Sequence, residues 1–161
     1  NDSLKCVARD IDVLFIDEGE ARELSNEVNL IRAARHIMSF GPTTVIIKRG
    51  EHGAILFHGE SIFVTPAFPL EHVVDPTGAG DAFAGGFLGY LASTGEKSFD
   101  AFRRAAVVGS VMGSFAVESF SLHRLSSLTQ TDIEARFRTL TDMMHFPPLG
   151  DRETLPWRKD Q

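Results

Sequence analysis

The chain has 161 residues, which suits one domain with a real core, and its 43% hydrophobic and 24% charged content argues against disorder. A formal net charge of -6 argues against a nucleic-acid binder, which usually carries a basic face. One cysteine, Cys6, excludes an internal disulfide framework and suits a reducing, cytoplasmic compartment.

The first ten residues, NDSLKCVARD, lack the basic-then-apolar order of a signal peptide. DVLFID (12–17) is a short apolar run closed by acids and reads as a buried strand. From Glu18 to Gly41 the period changes, and Leu30, Ile31, Ala34, Ile37 and Met38 share one helical face. Gly41-Pro42 stops that helix. TTVIIK (43–48) is a second buried strand, followed by the glycine turn RGEHG. Residues 54–66 read as a hairpin around His58-Gly59-Glu60, and HVVD (72–75) reads as one more strand.

A helix follows from near Gly80 to Gly95, and a second long one runs over 98–120 with Ser98 as its cap. Its apolar stretch (105–117) falls short of the roughly 20 residues that span a bilayer. A third helix covers 129–144, with Ile133, Phe137 and Leu140 on one face. Residues 1–145 therefore form the folded part, and 146–161 an extended or flexible tail on which Trp157 is a latch. Strands alternating with helices predict an α/β layered sheet.

The chemistry concentrates in VVDPTGAGDAFAGGF (73–87). Gly78 and Gly80 let the backbone turn tightly and approach a ligand. The amides of Ala79, Gly80 and Asp81 then lie at the positive end of a helix, where an anion is held. Asp81 would repel a resting phosphate there, but it suits a base that takes a proton from an attacking hydroxyl. The competing reading is a strand-to-helix turn, with Asp81 favouring the helix dipole.

Three further segments carry alternatives. Lys48 and Gly50 in IIKRGEHGA (46–54) supply a cation and a close backbone, or only a polar turn. Asp17 and Glu20 in IDEGEARELS (16–25) also make a helix capping box. Gly109, Ser110 and Gly113 admit a flat ring, or else pack one helix on another. The six histidines show no metal-ligand spacing.

DPTGAGDAFAGGFLGYL (75–91) closely resembles the signature of the ribokinase (PfkB) family of carbohydrate kinases, D-x-T-G-A-G-D followed by a helix start rich in small and aromatic residues. Asp75, Thr77, Gly78, Ala79, Gly80 and Asp81 fall on the core positions. The resemblance covers roughly 10–145 and implies a ribokinase-like layered sheet with flanking helices. It implies phosphoryl transfer from ATP, with magnesium, to a sugar or similar alcohol. Gly78, Ala79, Gly80 and Asp81 would form the anion hole, with Asp81 the catalytic base and Thr77 beside the nucleotide. Lys48 and Gly50 would meet the nucleotide phosphates and ribose. Asp17 and Glu20 match an N-x-x-E element that organises magnesium through water, with Asp17 in place of asparagine. Asp75 and its neighbours would hold potassium beside the anion hole. Gly109, Ser110 and Gly113 would border adenine.

Members of the family are about twice this long, and nothing here matches their N-terminal half with its lid and sugar-binding elements. The expectation is therefore a C-terminal, nucleotide-binding portion, weakly active or inactive alone, able to take a sugar only with that half. DVLFID then lies at an exposed sheet edge, and the chain self-associates through that edge or an apolar face. The alternatives are a non-catalytic remnant serving as an oligomeric or binding module, and a nucleoside kinase. No nucleic-acid or membrane partner is expected.

Overall fold

The computed structural model describes residues 7–155. Its centre is a four-stranded sheet in the order β1-β2-β3-β4, formed by Val13–Asp17, Thr44–Lys48, Ala54–His58 and Ser61–Thr65. β1 and β2 are parallel, with Asp17 opposite Lys48 at their C-terminal ends. β2–β3 and β3–β4 are antiparallel, and the second pair closes through the predicted His58-Gly59-Glu60 turn.

β2 shows why its near-continuous apolar run must lie inside. Val45 and Ile47 face a core with Ile16, Leu24, Ile37 and Phe57, under helices α1 (Glu18–Ser25) and α2 (Leu30–Met38). Ile46 faces the opposite core with Leu56, Phe83, Phe87 and Phe102, under α3 (Ala79–Thr94) and α4 (Phe99–Ala116). A strand buried on both faces has no polar side to alternate with. The result is the helix–sheet–helix layering predicted from the strand and helix pattern.

Two expectations need correction. The single helix predicted from Glu18 is two helices. Asn26 adopts a left-handed conformation (φ 55) that ends α1, and the Asn29 side chain accepts from the amides of Ile31 and Arg32 to start α2. The polar stretch Ser25–Asn29 favours caps over helix interior. The strand predicted at 72–75 does not form. Pro66 and Pro69 follow β4, and beyond them the amides of Val74 and Asp75 both bond the carbonyl of Val117 at the end of α4, with no strand alongside. Val73 and Val74 stay exposed.

Ser98 caps α4 through its side chain, as predicted, by accepting from the Ala101 amide. Beyond α4 come the short α5 (His123–Ser126), absent from the sequence reading, and α6 (Gln130–Met144). α6 packs Ile133, Phe137 and Leu140 against Val107, Val111 and Phe115 of α4. Arg136 reinforces that contact by donating to Ser114 Oγ and to Glu118, with its guanidinium 3.6 Å from the Phe115 ring centroid. Residues 146–155 form neither helix nor strand and are exposed. Cys6 and Trp157 lie outside the described residues. Among the described residues no helix is long and apolar enough to cross a membrane.

Candidate active site

Parallel strands in α/β sheets end at the edge where helices begin, and ligands gather at that edge. Here β1 and β2 deliver Asp17 and Lys48 to it side by side. Asp17 is the N-cap of α1. Its Oδ1 accepts from the Glu20 amide at 2.8 Å, and Glu20 Oε2 accepts from the Asp17 amide at 3.1 Å. The predicted capping box is therefore present, and both carboxylates remain exposed.

Lys48 points away from α1 and toward α3. Its Nζ lies 2.6 Å from where a Cβ on Gly80 would sit, so Gly80 leaves the space that the ammonium fills. That close approach joins two sequence motifs at one point. Lys48 also borders an open cleft of ≈ 440 Å³ lined by Asp17, Glu18, Arg49 and Gly50 among others, and no residue of the 75–81 segment lines it.

The N-terminus of α3 is built by the 75–78 turn. Asp75 Oδ1 accepts from the Thr77 amide at 2.9 Å, and Gly78 sits at φ 80, a region that favours glycine. The Thr77 amide first, and its hydroxyl second, hold the Asp75 carboxyl below the usual carboxylate range. The Ala79 amide turns back to the Pro76 carbonyl at 3.3 Å. No side chain caps the helix, so nothing covalently nearby competes with an anion for the amides of Gly80 and Asp81. Asp81 is exposed in the first turn.

Gly109 and Gly113 are not aimed at this cleft. A Cβ on Gly109 would stand 2.9 Å from the Phe83 carbonyl oxygen and 3.1 Å from its ring, and one on Gly113 would stand 3.2 Å from the Ala79 carbonyl. Both admit the backbone of α3, which is the packing alternative. Ser110 is buried and its Oγ lies 3.3 Å from Thr65 Oγ1 at the end of β4. A larger groove of ≈ 810 Å³, lined by Phe63, Arg103, Val107 and Phe137 among others, lies elsewhere and contains none of the predicted site residues.

The sequence reading missed Glu18 and Arg49. Glu18 accepts from Arg22 at 2.7 Å and from Arg49 Nε at 2.9 Å. Arg22 first, and Arg49 second, hold its carboxyl below the usual range. The only signal was an arginine between two assigned residues, Lys48 and Gly50. Among the described residues no set of three or more histidine, cysteine or acidic side chains gathers as a metal cage. Magnesium needs no such cage, since one or two carboxylates with water and phosphate suffice. Asp17 and Glu20 each spend one oxygen on the capping box and keep the other, so the donor set fits that mode.

Comparison with known proteins identifies the family and the fold. A cytidine kinase of Thermococcus kodakarensis is 41% identical over 89 residues, covering 54% of this chain and 32% of its own. The solved aminoimidazole riboside kinase of Salmonella enterica, in complex with aminoimidazole riboside and an ATP analog, superposes with a TM-score of 0.74 at 27% identity. That match covers 84% of this chain and 45% of the other. A putative ribokinase II of E. coli, at 28% identity and TM-score 0.72, covers 86% and 43%. The chain thus spans less than half the length of these relatives while sharing their ribokinase-like layered fold. Residues 1–119, which hold the sheet, the cleft and both close-packed helices, match the pfkB carbohydrate kinases, and the chain belongs to that family.

Proposed function

We propose that this chain is the nucleotide-phosphate portion of an ATP-dependent kinase that phosphorylates an alcohol group of a carbohydrate. The observation that carries the reading is the ammonium of Lys48 resting over Gly80, at a helix N-terminus no side chain caps. Aligned amides and a point cation converge there, and a phosphoryl group in transfer gathers charge at such a place. Gly78, Ala79 and Gly80 shape the anion hole, with the Gly80 and Asp81 amides facing the charge.

Asp81 takes the proton of the acceptor hydroxyl. The freed oxygen attacks the γ-phosphorus, the bond to the β–γ bridging oxygen breaks, and ADP leaves. Lys48 and Gly50 keep the terminal phosphates at the cleft, and Thr77 serves the nucleotide from the turn before α3. Magnesium, when bound through Asp17 and Glu20, neutralises phosphate charge. Potassium is assigned to the Asp75 turn. Gly109, Ser110 and Gly113 act on the adenine side through the packing of α4 on α3.

The relatives include a cytidine kinase and an aminoimidazole riboside kinase, and this favours a nucleoside as the second acceptor class. A non-catalytic binding module is the reading from another class.

Calorimetry with ATP and Mg²⁺ separates these. Lys48→Ala removes a charge-assisted contact and should weaken binding by about ten- to a hundred-fold, the range set by ~1.5–3 kcal/mol for such bonds. Asp81→Asn should bind ATP at least as tightly as the wild type, since it loses the charge that repels a resting phosphate. No heat from wild type at millimolar nucleotide overturns the nucleotide reading. ADP release with panels of sugars and nucleosides then tests transfer, which should be weak or absent in this chain alone, and any turnover seen should be lost in Asp81→Asn.

A further inference from the structure

Lys48 and Arg49 are adjacent cations at the mouth of one cleft, yet they diverge. Lys48 ends β2 and reaches Gly80. Arg49 turns to the opposite side, where its Nε meets Glu18 Oε2 at 2.9 Å in the first turn of α1. The backbone of Arg49 is also the root of the turn that follows. Its amide donates to the Gly53 carbonyl at 2.8 Å, and its carbonyl accepts from the His52 amide at 3.0 Å. Gly53 packs directly on the backbone that follows β4, because a Cβ there would stand 2.1 Å from the Thr65 carbonyl oxygen. The turn is thus fixed at Gly53 by backbone packing and at Arg49 by one carboxylate.

We propose that Glu18 is a positioning residue for the nucleotide end of this site. By holding the Arg49 guanidinium on the α1 side of the cleft, it fixes the 49–53 turn and leaves Lys48 as the cation directed at Gly80. The proposal rests on the nucleotide reading given above. Glu18 touches no ligand in this role. Its second partner, Arg22, is an i,i+4 neighbour on the same helix and does not reach the turn, which makes it an internal control.

The test compares Glu18→Gln, Arg49→Gln, Arg49→Lys, Arg22→Gln and the double variant Glu18→Gln/Arg49→Gln. These ion pairs are part-buried at the surface and keep about a third of their side-chain area in solvent, where such pairs add little to folding, so all five should melt near the wild type. ATP–Mg²⁺ affinity by calorimetry should fall about three- to ten-fold in Glu18→Gln and Arg49→Gln, as lost positioning would give. Arg49→Lys should recover most of it, and Arg22→Gln should match the wild type. The double variant should be no weaker than the weaker single, because both changes cut one link.

Additive losses, or an unchanged Glu18→Gln, overturn the proposal. If the wild type binds no ATP, the nucleotide reading fails by itself. The role of Glu18 is then decided by amide exchange at His52 and Gly53. Faster exchange in Glu18→Gln and Arg49→Gln, but not in Arg22→Gln, supports the clamp. Equal exchange in all of them overturns it.

Discussion

Gly80 sits in helical backbone with no positive φ, so its lack of a side chain serves space rather than conformation. Alanine there would bring a Cβ within 2.6 Å of Lys48 Nζ, the far end of a flexible chain that can swing aside without disturbing the fold. Gly80→Ala should therefore melt no lower than the wild type, since alanine is the better helix former by about 1 kcal/mol. It should also bind ATP more weakly, because the ammonium is pushed off the helix N-terminus. Gly78 is the opposite case. Nothing lies within 4 Å of its Cβ position, but its φ of 80 penalises any L side chain. Gly78→Ala should cost about 1–2 kcal/mol of stability from backbone strain alone. A thermal melt with calorimetry reads both, and a Gly80→Ala protein that binds ATP like the wild type would remove the Lys48 contact from the argument.

Between elements, the decisive contact is α3 on α4, because α3 carries the proposed anion hole. Three glycines let the helices close: Gly86 against Met112 and the Val108 carbonyl, Gly109 against Phe83, and Gly113 against the Ala79 carbonyl. Gly109→Ala meets backbone oxygen and a buried ring, neither of which can step aside, and should cost about 1–3 kcal/mol as an overpacked core does. Denaturant unfolding measures it, and an unchanged midpoint would sink the packing account. The caps Asp17 and Ser98 were open to sequence reading because they act within three residues of themselves. The 75–81 and 46–54 motifs were readable for the same reason. What could not be read was the meeting of Lys48 with Gly80, or the Glu18–Arg49 pair, since each joins segments far apart in the chain. Val73 and Val74 misled the strand reading because β-branched pairs look alike in a sheet and in a loop tied to Val117. Gly109 and Gly113 stayed ambiguous because small size serves a flat ring and a close helix equally well.

At the scale of the molecule, the sheet order leaves β1 paired on one side alone among the described residues. Val13, Leu14 and Phe15 are only half-buried, while the central β2 has four fully buried positions. A free edge with apolar neighbours is a template for another strand, and native proteins normally blunt it with charge, proline or a bulge. β1 has none of these before Asp17 closes it. β4, at the other end, is also an edge, but its exposed Ile62 and Val64 alternate with the half-buried Phe63 and the buried Thr65, so it already behaves as a half-solvated outer strand. We therefore expect this chain to self-associate through β1, with a second copy pairing along its open edge. Sedimentation across micromolar concentrations should show mass rising toward a dimer. The amides of β1 should gain exchange protection over the same range, because a paired edge buries its donors. A clean monomer throughout would overturn the expectation. Dimerisation with unprotected β1 amides would move the contact to a helical face instead.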